Sequence, residues 1–268
     1  SNASNARKNI PEILKLCDAY NIPITWATVG HLFLKSCSKD NSTIHSDLPR
    51  LPKLENNFWK YDGDDWFQND PGTDYKTDPF WYAPDLIEQI QNAKTPHEIG
   101  CHTFSHIDCR DEVCSDEIFR AEINKCQKLA KEKNINLKSF VHPAHTIGNL
   151  DNLADLGFTN FRTDYANILG YPVKHENGLW EFQQTMEFTW YDYWSIQYQI
   201  KRYKKIIDRA IKSNTVCYFW FHPSMDRRII TKILPSVFQY LNKLNNKIWI
   251  TTSKNYTNWL NEKQEPQQ

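Results

Sequence analysis

The sequence predicts an α/β domain built on a largely parallel sheet, open or closed into a barrel. Three observations carry this. Short β-branched and aromatic runs alternate with stripes of helical period, 268 residues suit one such domain, and no internal repeat divides the chain. Asn9 is placed to cap the first helix, with Pro11 in its first turn and Ile10, Ile13, Leu14 and Cys17 on one face. Ile24 to Val29 then reads as a strand. Further short strands are expected at Glu98–Cys101, Lys138–His142, Asn160–Thr163, Val216–Phe221 and Lys247–Thr251. Phe119, Ile123, Cys126 and Ala130 form one apolar helical stripe between them, and Ile230, Ile233, Leu234, Val237 and Leu241 form another.

One stretch breaks the alternation. Residues 38–80 are polar, Pro-bearing and aromatic, with Phe58-Trp59, Asp64-Asp65-Trp66-Phe67 and Asp70-Pro71-Gly72. This is expected to be a long insertion loop whose aromatics pack over the functional site, since loops of such length in compact domains are commonly functional. The rest of residues 4–262 forms the domain itself. Ser1-Asn2-Ala3 has the look of a tag remnant, and residues 263–268 form a polar tail.

Lys+Arg and Asp+Glu each total 32, which leaves no field to recruit nucleic acid or anionic lipid. No apolar run is long enough to span a membrane. Mean hydropathy is −0.68 while aromatics reach 14%, so flat rings supply much of the apolar surface. Such rings stack on the C–H faces of sugars, which makes a neutral glycan an acceptable partner. The odd count of seven cysteines, without disulfide spacing, favours a reducing compartment and a cytoplasmic location; a processed N-terminus leaves secretion open.

The densest chemistry lies in His97-Glu98-Ile99-Gly100-Cys101-His102-Thr103-Phe104-Ser105-His106, which leaves a strand for a loop. His102 and His106 lie four positions apart, so on a helical turn both imidazoles project from one face and can share a metal. A second reading of the same segment is a structural zinc module, because Cys101, His102, His106, Cys109 and Cys114 offer enough soft ligands for a closed site. His222 ends the apolar run Tyr218-Phe219-Trp220-Phe221, where a histidine is suited to proton transfer near neutral pH.

The Glu-Ile-Gly strand followed by His-Thr-x-x-His resembles the metal motif of polysaccharide deacetylases, the NodB-homology domain of carbohydrate esterase family four. Asn21 to Gly30 is similar to that family's second strand, and Tyr218 to Pro223 to the motif bearing its general acid. The resemblance implies a distorted (β/α)7 barrel and a divalent metal, with zinc the expected ion, held by His102 and His106. It also implies proton donation by His222 and a substrate that is an N-acetylated glycan or small amide. In the family an acidic pair on the first strand supplies a base and a third ligand; the resemblance places that strand just before the first helix, so that its acids would fall upstream of this chain or within its tag remnant, and none stands between Ser1 and Asn9. Val141 stands where members carry an arginine. His142, His145 and Arg162 are then candidate substrate contacts beside the site, and Trp66 and Asp65 candidate contacts from the insertion loop. A barrel that binds glycan without hydrolysing it is the alternative these departures suggest.

Overall fold

The computed structural model describes residues 2–40, 43–53, 65–164 and 168–264. Ser1, Phe58, Trp59, Asp64 and residues 265–268, singled out above, lie outside that set.

Helix α1 (Asn2–Tyr20) buries the predicted stripe of Ile10, Ile13, Leu14 and Cys17. Asn9, however, does not cap it. The helix begins two turns earlier because Arg7 is anchored from outside: its guanidinium binds the Asp85 carboxylate at 2.6 and 3.1 Å and also donates to the carbonyls of Pro79 and Tyr82. Pro11 therefore sits inside the helix. Asn9 is buried and donates through Nδ2 to the carbonyls of Pro223 and Met225, which ties the helix to the segment following His222.

Strand β1 (Thr25–Thr28) leads into a short 3-10 turn at Gly30–Phe33, and α2 (Pro84–Gln91) follows the insertion. Then come β2 (Glu98–Cys101), α3 (Asp116–Lys131), β3 (Ser139–Val141), α4 (Leu150–Asp155) and β4 (Asn160–Thr163). The predicted α3 stripe is buried, and the helix is capped by Ser115, whose side chain accepts from the Ile118 N–H. Among the elements without a sequence prediction are the hairpin of β5 (Val173–Lys174) with β6 (Trp180–Gln183), and helix α5 (Ile196–Lys212). Between and after them lie β7 (Met186–Glu187) and β8 (Phe219–Trp220), then α6 (Leu234–Lys243) and α7 (Ser253–Gln264).

The main sheet has the order β1-β2-β3-β4-β6-β5, parallel except for β5 against β6. Strands β7 and β8 pair in parallel as a separate ladder. Among the described residues no ladder joins the two sheets, so the mostly parallel α/β architecture is present without a hydrogen-bonded closure of the barrel. The predicted strand at Lys247–Thr251 is not formed. No strand lies in register beside it among the described residues, and Trp249 turns outward against Tyr256 and Trp259 of α7.

The described parts of the insertion are folded into the core. Ile44, Leu48, Leu51 and Phe67 are buried there, and the Arg50 guanidinium gathers the carbonyls of Ile44, His45 and Leu48 at 2.7 Å each. Ser36 bridges Asp74 across the base of the segment.

Candidate functional site

The parallel strands deliver their last residues to one end of the sheet, the usual catalytic face of such architectures. His102 follows β2, His142 follows β3, Asp164 follows β4, Glu187 ends β7 and His222 lies two residues beyond β8. A cleft of about 460 Å³ beside Pro23, Pro96, Trp249 and Trp259 lies at the opposite end, before β1 and β2, and gathers no comparable chemistry.

The β1–β2 ladder runs on into the His102–His106 loop. The His102 N–H donates to Thr28 O, Gly30 N–H to Thr103 O and His31 N–H to Phe104 O. Glu122 of α3 holds the loop from the other side. Its buried carboxylate accepts from the backbone N–H groups of Phe104 and Ser105 at 2.8 Å and from the Ser105 hydroxyl at 2.6 Å. Burial raises its pKa against the opposing pull of these donors. Gly30 is required here by space, because a Cβ would stand 2.6 Å from Cys126 Sγ and 3.1 Å from Phe104 Cα.

His102 and His106 face each other with ring centroids 4.8 Å apart. His102 Nδ1 is 2.6 Å from Val141 O, and a carbonyl only accepts, so the proton sits on Nδ1 and the Nε2 lone pair is left for a ligand. Val141 thus serves through its backbone, and its side chain is immaterial to this contact. Burial pushes the His102 pKa down to about 3, with His106 as the next cause. His106 is lowered for the same leading reason, although the residue is exposed on its outer side. The loop holds both through strained backbone: Thr103 and His106 have φ of 57° and 61°, in the left-handed region that residues with a Cβ rarely adopt.

His222 stands exposed at the rim, its Nδ1 3.6 Å from Glu187 Oε1. The contact with His222 is the leading reason the Glu187 carboxyl lies below its usual range. A second carboxylate–histidine pair lies beside it, with His145 Nδ1 3.3 Å from Asp164 Oδ2. Arg162 stacks on Trp220 at 4.6 Å and reaches His145 at 3.5 Å, while its buried Nε has no hydrogen-bond partner. Asp164 thus lies against His145, whose imidazole burial holds below its usual pKa. Ala144 and His145 share the positive φ seen in the facing loop, at 42° and 60°.

His142 is buried beneath this group. Its Nε2 donates to Gly148 O at 3.0 Å, leaving an unpartnered Nδ1, and burial pushes its pKa from the usual 6.5 down to about 4. The sign of the pH effect follows. Between pH 6.5 and 4 the unfolded chain binds this proton and the folded one does not, so the stability is complete above 6.5 and is lost as pH falls towards 4. In metal-free protein, urea unfolding at pH 7 and pH 4.5 should differ by about 2–3 kcal/mol more in wild type than in His142→Asn. Equal differences would refute the assignment.

From the insertion, Trp66 reaches the loop directly, its indole N–H donating to Ser105 Oγ at 3.0 Å. Asp65 is engaged elsewhere, with Arg50 Nε at 3.1 Å and the Phe67 N–H at 2.7 Å. The cysteines of the alternative zinc module do not gather around His102: Cys101, Cys109 and Cys114 are buried free thiols. Among the described residues, the one group of three or more histidine, cysteine or acidic side chains whose ligand atoms converge is His31, Cys37, His45 and Asp70. Sequence reasoning missed it, and it missed Glu187 and Glu122.

A family model described as polysaccharide deacetylase matches residues 3–149. Among solved structures, a Mycobacterium smegmatis protein described as a polysaccharide deacetylase superposes with a TM-score of 0.64 at 12% identity, covering 97% of this chain and 79% of that one. Puue allantoinase superposes at 0.61 and 13% identity, with 97% and 74% covered. The Xyl-CE4 domain of a xylanase from the Trinervitermes trinervoides hindgut metagenome superposes at 0.51 and 10% identity, with 94% and 85% covered. At these identities the likeness is one of fold. Curated proteins offer no significant sequence match.

Proposed function

We propose that this chain, which belongs to the polysaccharide deacetylase family, is a metal-dependent hydrolase that removes acetyl groups from N-acetylated sugars of a polysaccharide or its precursor. The observation that carries the reading is the facing pair His102 and His106, with His102 Nε2 left as a lone pair by the Val141 carbonyl. A neutral imidazole oriented by a hydrogen bond at its other nitrogen is the form that ligates a metal. Two protein ligands make an open site, with room for substrate and solvent. When bound, zinc or a similar ion supplies Lewis-acid polarisation of the acetyl carbonyl and favours ionisation of a neighbouring water.

The chain's own groups supply the rest. His222, oriented by Glu187, delivers a proton to the departing amine, which is too basic to leave unprotonated. The pair of His145 and Asp164 stands ready to accept a proton from water. Arg162 keeps a buried positive charge beside them, suited to the oxygen on which negative charge develops. Trp66 borders the group and offers an aromatic contact to a sugar ring, while Trp220 backs Arg162.

The test is acetate release from N-acetylated oligosaccharides, chitin-like and peptidoglycan-derived, with and without chelator. Release that stops with chelator and returns with Zn²⁺ is expected. If no substrate yields chelator-sensitive acetate while the protein binds the same oligosaccharides, the chain is a glycan-binding barrel and the hydrolase reading fails.

A further inference from the structure

The geometry points to a second, structural metal site, in which His31, Cys37, His45 and Asp70 bind one Zn²⁺ and clip the insertion to the sheet. The four side chains come from the turn after β1 and from the insertion, and their ligand atoms all lie within 4.8 Å of one another. Zinc–ligand distances of about 2.0–2.3 Å imply tetrahedral edges of about 3.3–3.7 Å, so small adjustments complete the shell. The histidine and aspartate side chains are almost wholly buried, at 8%, 5% and 1% exposure for His31, His45 and Asp70. Four protein ligands in a closed pocket mark a structural site, unlike the open pair at His102 and His106.

The contact of His31 with Asp70 is what a hydrogen-bonded cluster fails to explain. Its Nδ1 lies 3.0 Å from Trp81 O, which can only accept, so the ring proton is there. Its Nε2 stands 2.7 Å from Asp70 Oδ2, yet the pair is outside hydrogen-bond geometry and Nε2 has no hydrogen-bond partner. A lone pair beside a carboxylate oxygen in a dry pocket is repulsive. A cation ligated by both atoms would satisfy each.

The surroundings are arranged as around a ligated ion. Asp70 Oδ1 accepts from the Gly72 N–H at 2.9 Å and from Tyr82 OH at 3.1 Å, which leaves Oδ2 directed at the histidines. The Tyr82 hydroxyl, fully buried, accepts in turn from the Thr73 N–H and lies 3.0 Å from Cys37 Sγ. Such outer partners fix the ligands. Binding releases the Cys37 thiol proton, and the proton of His45 Nε2 moves to Nδ1. Thiolate, carboxylate and Zn²⁺ then sum to zero charge.

The site also touches the other one. His31 and His45 pack edge-on against Phe104, at 5.5 and 5.0 Å, and Phe104 lies between His102 and His106 in the chain. A zinc clip would therefore hold the floor of the loop that presents that pair. It holds whether or not the chain hydrolyses anything.

The test uses the full chain, stripped with chelator and titrated with Co²⁺. Wild type should develop a thiolate-to-cobalt charge-transfer band that saturates at one equivalent. His102→Ala should keep the band, Cys37→Ser should lose it, and Tyr82→Phe should weaken affinity by about 10–100-fold. Absence of the band in wild type, or its survival in folded Cys37→Ser, overturns the proposal. Should Cys37→Ser fail to fold, X-ray absorption of the zinc-loaded wild type decides. One sulfur at about 2.3 Å among nitrogen and oxygen ligands supports the site, and a shell without sulfur overturns it.

Discussion

Replacing His102 with alanine is expected to remove the metal from the strand-end site and lower chelator-sensitive acetate release by on the order of a thousandfold or more. The magnitude follows from position. Loss of an outer partner that merely orients a ligand costs 10–100-fold in affinity or activity, and His102 is itself the ligand whose lone pair the Val141 carbonyl exposes. Fold should survive, because the loop is held by backbone bonds to β1 and by Glu122, none of which uses the imidazole. The half-buried His102 ring, its pKa lowered, also costs stability as pH falls, so its loss should not make the protein more acid-sensitive. Metal content is the direct measurement. With the zinc clip intact, His102→Ala should drop from two bound ions to one while keeping the thiolate band, and an unchanged count would mean that the metal lies elsewhere. The double variant His102→Ala/His106→Ala should show no further loss of ions.

How much of this was legible in the sequence depended on whether the chemistry was local. His102 and His106 lie in one short segment after an apolar strand, so pattern and spacing suffice to pair them. His222 likewise ends an apolar run. The strand ends at Cys101 and Thr163 fall where predicted. Asn9 was misread because a helix start is a local signal, whereas Arg7 lengthens α1 through bonds to residues more than 70 positions away. The ligand set of His31, Cys37, His45 and Asp70 was illegible for the same reason. Its members are unevenly spaced, His45 and Asp70 in a stretch that composition marks only as loop and His31 and Cys37 ahead of it, and the fold alone brings them together. Glu187 was hidden by the brevity of β7, two residues without a periodic signature.

The second large effect expected is at His222, where alanine should lower turnover of N-acetyl substrates by about 10²–10⁴-fold, the range attached to a positioned general acid. The exposed ring at the rim stands clear of the buried core, so binding and fold should change little, and KM should move far less than kcat. The argument distinguishes a proton donor from a mere contact through the leaving group. An amine must be protonated to depart, whereas an acetylated phenol leaves as a stable anion. His222→Ala should therefore hydrolyse an aryl acetate at close to the wild-type rate while failing on the acetamide. Glu187→Gln, which removes the charge 3.6 Å from His222 Nδ1 but leaves the ring in place, should lose about 10–100-fold on the acetamide. Equal losses on both substrates in His222→Ala would assign the residue to binding, and the proton would then have to come from the pair of His145 and Asp164.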